Sequence, residues 1–103
     1  MNLKNVYLHY NELYFGDELP NIPVIYKKLP ETTAARTEFT KFFTPVRIAI
    51  DKRLKNERLQ KYVLTSLLHE MIHVMLRGSF CGSQEFIREI RRLANEGAFD
   101  DLI

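Results

Sequence analysis

The sequence has little of what secreted, disulfide-stabilised or membrane-spanning proteins contain. Its 103 residues include one cysteine, Cys81, and no tryptophan. A single cysteine excludes an internal disulfide and is typical of a reducing compartment. The segment Met1–Asn5 lacks the apolar run of a secretion signal, and no stretch approaches the ~20 apolar residues of a membrane span. These absences predict a cytoplasmic protein with no membrane partner.

An excess of charge of one sign is absent too. The formal net charge is +2, with 27% charged and 46% apolar residues, which are the values of an ordinary globular protein. A balance of this kind does not favour nucleic acid as a partner. The chain length predicts a single domain over residues 1–103. Its oligomeric state is left open by the composition.

The most informative stretch is residues 69–73, which read H-E-M-I-H. On a helix, His69 and His73 lie on one face, where their imidazole nitrogens can share a zinc ion. Glu70 lies about 100° further around the helix, so it can reach a water at the metal and act as a base. The motif therefore predicts zinc as the cofactor, His69 and His73 as ligands, and Glu70 as the catalytic residue.

The flanking residues support this interpretation. No proline or glycine occurs between Asn56 and Arg77, and apolar residues surround the motif on both sides, which predicts one long buried helix. Burying three polar side chains without partners would cost several kcal/mol. A metal ion accounts for all three at once, and histidines packed in the core are the alternative.

A catalytic zinc usually takes three protein ligands, so one more must come from outside this helix. The next helix is predicted to begin at Gln84. Because it follows a short loop, it should pack antiparallel to the helix that carries the motif. Glu85 in its first turn is the expected third ligand, and Glu89 is the second choice. His9, Cys81 and the aspartates of the tail remain as alternatives. A first-turn glutamate can also simply oppose the helix dipole.

Apolar periodicity and turn residues predict an α+β fold. The expected architecture is an N-terminal helix, a small three-stranded, mostly antiparallel sheet, the long motif-bearing helix and a following helix. The second strand is also the candidate edge, at Ala35–Lys41, along which an extended peptide could bind. The predicted elements are a helix at Leu3–Phe15, strands at Ile22–Lys28, Ala35–Phe43 and Val46–Ile50, and helices at Asn56–Arg77 and from Gln84 to about Asn95.

Three stretches together resemble the SprT-like (Spartan-type) metalloprotease domains. They are the H-E-M-I-H motif, the segment Tyr14–Pro20 with its Y-F-x-x-E-L-P pattern, and Ile48–Asp51 before the long helix. The resemblance covers about residues 3 to 93. Those domains typically carry a third histidine in an H-G-P-E-F-like segment at the start of the last helix. The matching position here is Gly82, which cannot bind a metal.

With a glutamate as third ligand, the chain resembles most closely the minigluzincins. These are minimal zincins of the gluzincin type, described as soluble archaeal proenzymes whose C-terminal segment blocks the cleft. The resemblance implies a zinc metallopeptidase that hydrolyses peptide bonds of a peptide or protein substrate. It also implies that residues 97–103 form an inhibitory tail and that the protein is a zymogen.

Two other functions are compatible with the motif. The first is an SprT-like protease acting on DNA-associated proteins, for which Arg88, Arg91 and Arg92 would form the basic surface. The second is a catalytically silent, zinc-stabilised binding module with a closed four-ligand site, for instance through Asp100 or Asp101. Removing the tail should activate a zymogen and leave a binding module silent.

Overall fold

The computed structural model describes residues 1–78 and 80–102. Ser79, in the predicted loop, and Ile103, at the end of the predicted tail, lie outside the described residues. The order of elements is the predicted one, a helix, three strands and two helices, and the α+β fold is confirmed. The elements are α1 (Leu3–Tyr14), β1 (Val24–Lys27), β2 (Ala35–Phe39), β3 (Pro45–Asp51), α2 (Gln60–Met75) and α3 (Gln84–Asn95).

The three strands form one sheet in the order β1-β3-β2, so β3 is central. The hairpin strands β2 and β3 are antiparallel, whereas β1 pairs with β3 in parallel. The sheet is therefore mixed, and the expectation of a mostly antiparallel sheet holds for the hairpin alone. Alternating apolar residues identify strands but do not specify the direction of a non-local pairing. The result leaves β2 at an edge of the sheet.

The core lies between the sheet and α2. Val63, Leu67 and Met71 of α2 are fully buried, as are Ile48 and Ile50 of β3. Burying one such side chain contributes about 1.5–3 kcal/mol. The long helix is thus central, as its apolar sequence predicts. Among the described residues, no helix is both long and apolar enough to cross a membrane.

Helix α2 begins later than its sequence predicts. Asn56 caps a short 3-10 turn, Glu57–Leu59, by accepting a hydrogen bond from the backbone N–H of Arg58 at 2.9 Å. The α-helix itself starts at Gln60. An asparagine side chain can cap either kind of turn, so the sequence marks the start of helical structure but not its type.

The loop after α1 is tied to that helix by buried polar groups. The Asn11 side chain, 2% exposed, both donates to the Leu19 carbonyl and accepts from the Leu19 N–H, each at 3.1 Å. The Tyr7 hydroxyl donates to the carbonyl of Pro20 at 2.6 Å, and burial raises the pKa of Tyr7 to about 12. The E-L-P part of the Y-F-x-x-E-L-P pattern is therefore a structural feature, held on α1.

Candidate metal centre

The two histidines of the motif lie together near the C-terminal end of α2. Their Nε2 atoms are 3.2 Å apart and their ring centroids are 4.9 Å apart. This proximity follows from the helix, since residues four apart are neighbours on its surface. The structure thus brings His69 and His73 together as the motif predicts.

A third ligand-type atom comes from the loop between α2 and α3. The Sγ atom of Cys81 lies 3.2 Å from Nε2 of His69 and 3.3 Å from Nε2 of His73. Within residues 1–78 and 80–102, these three are the histidine, cysteine or acidic side chains whose ligand atoms gather within 4.8 Å of one another. The three atoms form a nearly equilateral triangle.

The triangle has the dimensions of a zinc-binding trio. With Zn–N bonds of about 2.0–2.1 Å and Zn–S bonds of about 2.3 Å, tetrahedral geometry places two nitrogens about 3.3 Å apart and a nitrogen and a sulfur about 3.6 Å apart. The observed edges of 3.2, 3.2 and 3.3 Å are within a few tenths of an ångström of these values. Imidazole nitrogen and thiolate sulfur are also donors that zinc prefers. The residues present therefore fit a zinc ion.

Phe86 of α3 packs against both imidazoles. Its ring centroid is 4.8 Å from that of His69 and 4.7 Å from that of His73, and the side chain is 2% exposed. The Ser83 side chain caps α3 by accepting a hydrogen bond from the backbone N–H of Phe86 at 3.2 Å. The cap sets where α3 begins, and Phe86 then restricts the orientation of the two histidine rings.

The glutamates of α3 are placed differently. Glu85 precedes Phe86 by about 100° around the helix. Because Phe86 contacts the histidines, the Glu85 side chain is exposed, and it does not belong to the gathered group of ligand atoms. Glu89 pairs with Arg92 at 2.8 Å. His9 is exposed on α1. The structure does not bring Glu85 to the histidines, and its role as a ligand stays a prediction.

The sequence predicts a glutamate as third ligand and leaves Cys81 as an alternative. A signal for it was present: Cys81-Gly82 has the H-G order of the H-G-P-E-F-like segment, with cysteine in place of histidine. An ungapped alignment that matches Phe86 to the last residue of the pattern places the histidine of the pattern at Gly82. In that alignment Cys81 has no counterpart. The loop has one more residue between the H-G-like pair and Phe86 than the pattern has.

Glu70 is held in place by the edge strand. It is 7% exposed, and the Thr37 hydroxyl of β2 donates a hydrogen bond to its Oε1 atom at 2.9 Å. Burial raises the pKa of Glu70, while the Thr37 bond and the nearby His73 act to lower it. Burial, and then the charge of His73, lower the pKa of His69. The carboxyl group thus lies beside the trio, with one oxygen already engaged by the protein.

The trio and Glu70 line an open cleft. One cavity of about 400 Å³ is lined by Glu70 and by the trio of His69, His73 and Cys81. A second, of about 370 Å³, shares Ala35, His69 and Glu70 with it. A third, of about 440 Å³, shares residues 32–34 with the second. Together they form a groove between α2 and the segment that leads into β2.

A protein-family model described as the SprT-like family matches residues 3–92. The chain belongs to the SprT-like family. This confirms the relation to SprT-like metalloprotease domains that the sequence motifs indicate. The family is linked to zinc metalloprotease-like domains. No curated protein and no solved structure matches the chain significantly.

In this SprT-like domain the segment after α3 packs against the core. Ala98 is 4% exposed, and Phe99 and Leu102 pack against the buried cluster. Asp100 and Asp101 are exposed and are not among the gathered ligand atoms. No described residue from 97 to 102 lines the three cavities of the cleft. An inhibitory role for the tail stays a prediction.

Proposed function

We propose that this SprT-like domain is a zinc-dependent peptidase that hydrolyses peptide bonds in a peptide or protein substrate. The observation that carries the proposal is the buried carboxyl of Glu70 beside converging histidine nitrogens in an open cleft. The three donors in the trio leave a fourth tetrahedral position for a water or a substrate carbonyl, which is the arrangement of catalytic rather than structural zinc sites.

Each residue of the centre has a definable task. When bound, zinc polarises the scissile carbonyl and lowers the pKa of an attacking water. His69 and His73 hold the ion, and Glu70 accepts the proton of the water and passes it to the leaving amine. The Thr37 hydroxyl donates a hydrogen bond to Oε1 of Glu70, which orients the carboxylate that receives the proton.

The edge strand supplies a way to hold the substrate. β2 pairs with β3 on one side, and the cleft runs along its other side towards Glu70. An extended peptide can add to a strand edge of this kind through main-chain hydrogen bonds, which places its carbonyls in order along the cleft. We therefore expect an extended, unfolded segment of substrate at residues 35–39.

The proposal is tested by digesting a mixture of unstructured peptides and identifying products by mass spectrometry. Cleavage should stop when zinc is chelated, resume when zinc is restored, and be absent from His69→Ala. The matched control is His9→Ala, because His9 is exposed and outside the centre. Cleavage that persists in His69→Ala or under chelation would show that the centre is not responsible.

The finer assignment, a gluzincin-type latent proenzyme, depends on Glu85 and on the tail. Truncation after Glu96 tests the latency. Because this removes Ala98 from the core, thermal stability must be measured together with activity. A proenzyme gains activity despite a lower melting temperature. A lower melting temperature without any gain would make the tail a structural part of the domain.

The DNA-linked alternative has less support from the arginines of α3. Arg92 is engaged by Glu89 and Glu96 and donates to the Tyr14 carbonyl, so it ties α3 to α1. Arg88 and Arg91 remain exposed on that helix. A peptidase without a nucleic-acid cofactor is accordingly our proposal, and stimulation of cleavage by DNA would argue for the alternative.

A further inference from the structure

We propose that Cys81 is the third protein ligand of the metal, so that the centre is of the His₂Cys type. The inference rests on the proposed zinc function and specifies its site. The sulfur is within 3.3 Å of both histidine nitrogens, and the three edges match a tetrahedral zinc trio. Zinc centres that mix cysteine and histidine and keep an open position are known to be catalytic.

Ordinary hydrogen bonding is a poorer account of the trio. Each of the three atoms faces the other two, yet a neutral imidazole nitrogen is either a donor or an acceptor, and a thiol has one proton. When both imidazoles carry their proton on Nδ1, the single thiol proton cannot satisfy all three edges, and the two Nε2 atoms face each other with lone pairs. A cation at the centre of the triangle satisfies all three lone pairs together.

Core packing does not account for the position of the cysteine either. Free cysteines are among the most buried residues in proteins, whereas Cys81 is exposed. Its side chain nevertheless lies against two polar rings. Chemistry at the sulfur, rather than apolar contact, is the property that explains this placement.

The backbone conformation of the loop positions Cys81 close to the histidines. After α2 ends, Arg77 and Gly78 both have positive φ angles, 51° and 89°, so the helix cannot continue into the loop. A hydrogen bond from the Ser83 N–H to the Phe80 carbonyl, at 3.0 Å, then closes a turn around Cys81. This turn holds the Cys81 sulfur within 3.3 Å of both histidine nitrogens.

Metal spectroscopy tests the ligand directly. The cobalt(II)-substituted wild-type protein should show a sulfur-to-cobalt charge-transfer band in the near ultraviolet, and Cys81→Ser should lose it. We expect Cys81→Ser to bind zinc about 100-fold more weakly or worse, since even indirect partners of a metal contribute about 10–100-fold. Glu85→Gln should retain both the band and the affinity.

A histidine at the same position provides a second check. Cys81→His should recover zinc binding relative to Cys81→Ser while the sulfur band remains absent, because imidazole replaces thiolate. Zinc should also slow the alkylation of Cys81 by iodoacetamide in the wild type. As Cys81 is exposed, all these variants should melt near the wild-type temperature without metal, which separates ligation from folding.

The opposite pattern would overturn the inference. Absence of the sulfur band in cobalt-loaded wild type would exclude Cys81 as a ligand. Loss of affinity in Glu85→Gln with none in Cys81→Ser would assign the third position to Glu85. A wild-type protein that retains no zinc or cobalt would contradict both this inference and the zinc peptidase. A sulfur band without any peptide cleavage would uphold Cys81 as the ligand and contradict the peptidase.

Discussion

The candidate metal centre has two halves that are built in different ways. One half is the end of α2, where His69, Glu70 and His73 belong to a helix packed against the sheet, with Glu70 7% exposed. The other half is the loop before α3, where Phe80 is 72% exposed and Cys81 is also exposed. The helical half is positioned by local geometry and core packing. The loop half is positioned by a few backbone angles and one turn.

The difference predicts how the two halves respond to metal. The helical half should keep its shape without an ion, because packing in the core holds it. The loop half has few buried apolar contacts, and segments of this kind open at low free-energy cost. A bound ion joined to both halves would stabilise the closed loop by mass action. Metal is therefore expected to order the loop more than the helix.

The largest expected effect comes from changing the chemistry of the helical half alone. Glu70→Gln keeps the shape of the side chain but removes its capacity to accept a proton. Peptide hydrolysis should fall by about 10²–10⁴-fold, the usual contribution of a general base. Zinc content, measured by mass spectrometry, should remain that of the wild type.

A wild-type hydrolysis rate in this variant would show that Glu70 is not the base. Loss of zinc would instead assign the carboxylate to the metal site.

The next effect comes from Phe86, which packs on both histidines from α3. Phe86→Ala should lower the free energy of unfolding by about 3–5 kcal/mol, because it leaves a cavity in the core. Urea unfolding of the metal-free protein measures this. Ile87→Ala is the matched control, since Ile87 is 43% exposed, and it should change stability by no more than about 0.5 kcal/mol.

Equal losses for Phe86→Ala and Ile87→Ala would mean that the ring contacts are not a core interaction.

A smaller effect should separate the two glycines of the loop half. Gly78 has a φ of +89°, and an added Cβ would lie 3.2 Å from Cδ1 of Phe43. Gly78→Ala should therefore cost about 1–2 kcal/mol of stability. Gly82→Ala should cost little, because its new Cβ meets only the ring edge of the exposed Phe80.

Thermal unfolding of the two proteins compares them under identical conditions. A larger loss for Gly82→Ala than for Gly78→Ala would show that the left-handed backbone at residue 78 does not shape the loop.

The smallest effect concerns the hydrogen bond between Thr37 of β2 and Glu70 of α2. Thr37→Val removes the hydrogen bond to Glu70 and should lower kcat about tenfold, which corresponds to about 1.4 kcal/mol. KM and zinc content should be unchanged, because Thr37 acts through Glu70. Thr37→Ser keeps the hydroxyl and should restore most of the rate. A serine variant as slow as the valine variant would assign the loss to packing.

Several features were predictable because they depend on residues close in sequence. The absence of breakers from Asn56 to Arg77 predicts a long helix, and α2 occupies 60–75 within that range. The predicted range of α3 is the observed one, because Ser83 is a strong cap and Asn95 precedes a stop at Gly97. The spacing of His69 and His73 likewise predicts their convergence.

Other features depend on how distant elements pack. Strand β1 pairs in parallel with β3, the central strand, although β2 lies between them in the sequence. The side of α3 that meets the histidines is decided by the burial of Phe86, and this turns Glu85 towards solvent. The local sequence pattern predicts neither outcome. For α3, Glu85 and Phe86 are both compatible with the first turn of a helix, so the pattern does not show which of them faces the histidines.

The family, the order of elements and the helical half of the centre can all be inferred from the amino-acid sequence. Periodicity, caps and the i, i+4 spacing act over one or two helical turns, so they can be read from neighbouring residues. Two contacts depend on tertiary packing instead: the hydrogen bond from Thr37 of β2 to Glu70, and the approach of Cys81 to the two histidines. These contacts join residues that are 33, 12 and 8 positions apart. They arise from the packing of a strand, a helix and a loop against one another, which patterns of neighbouring residues do not specify.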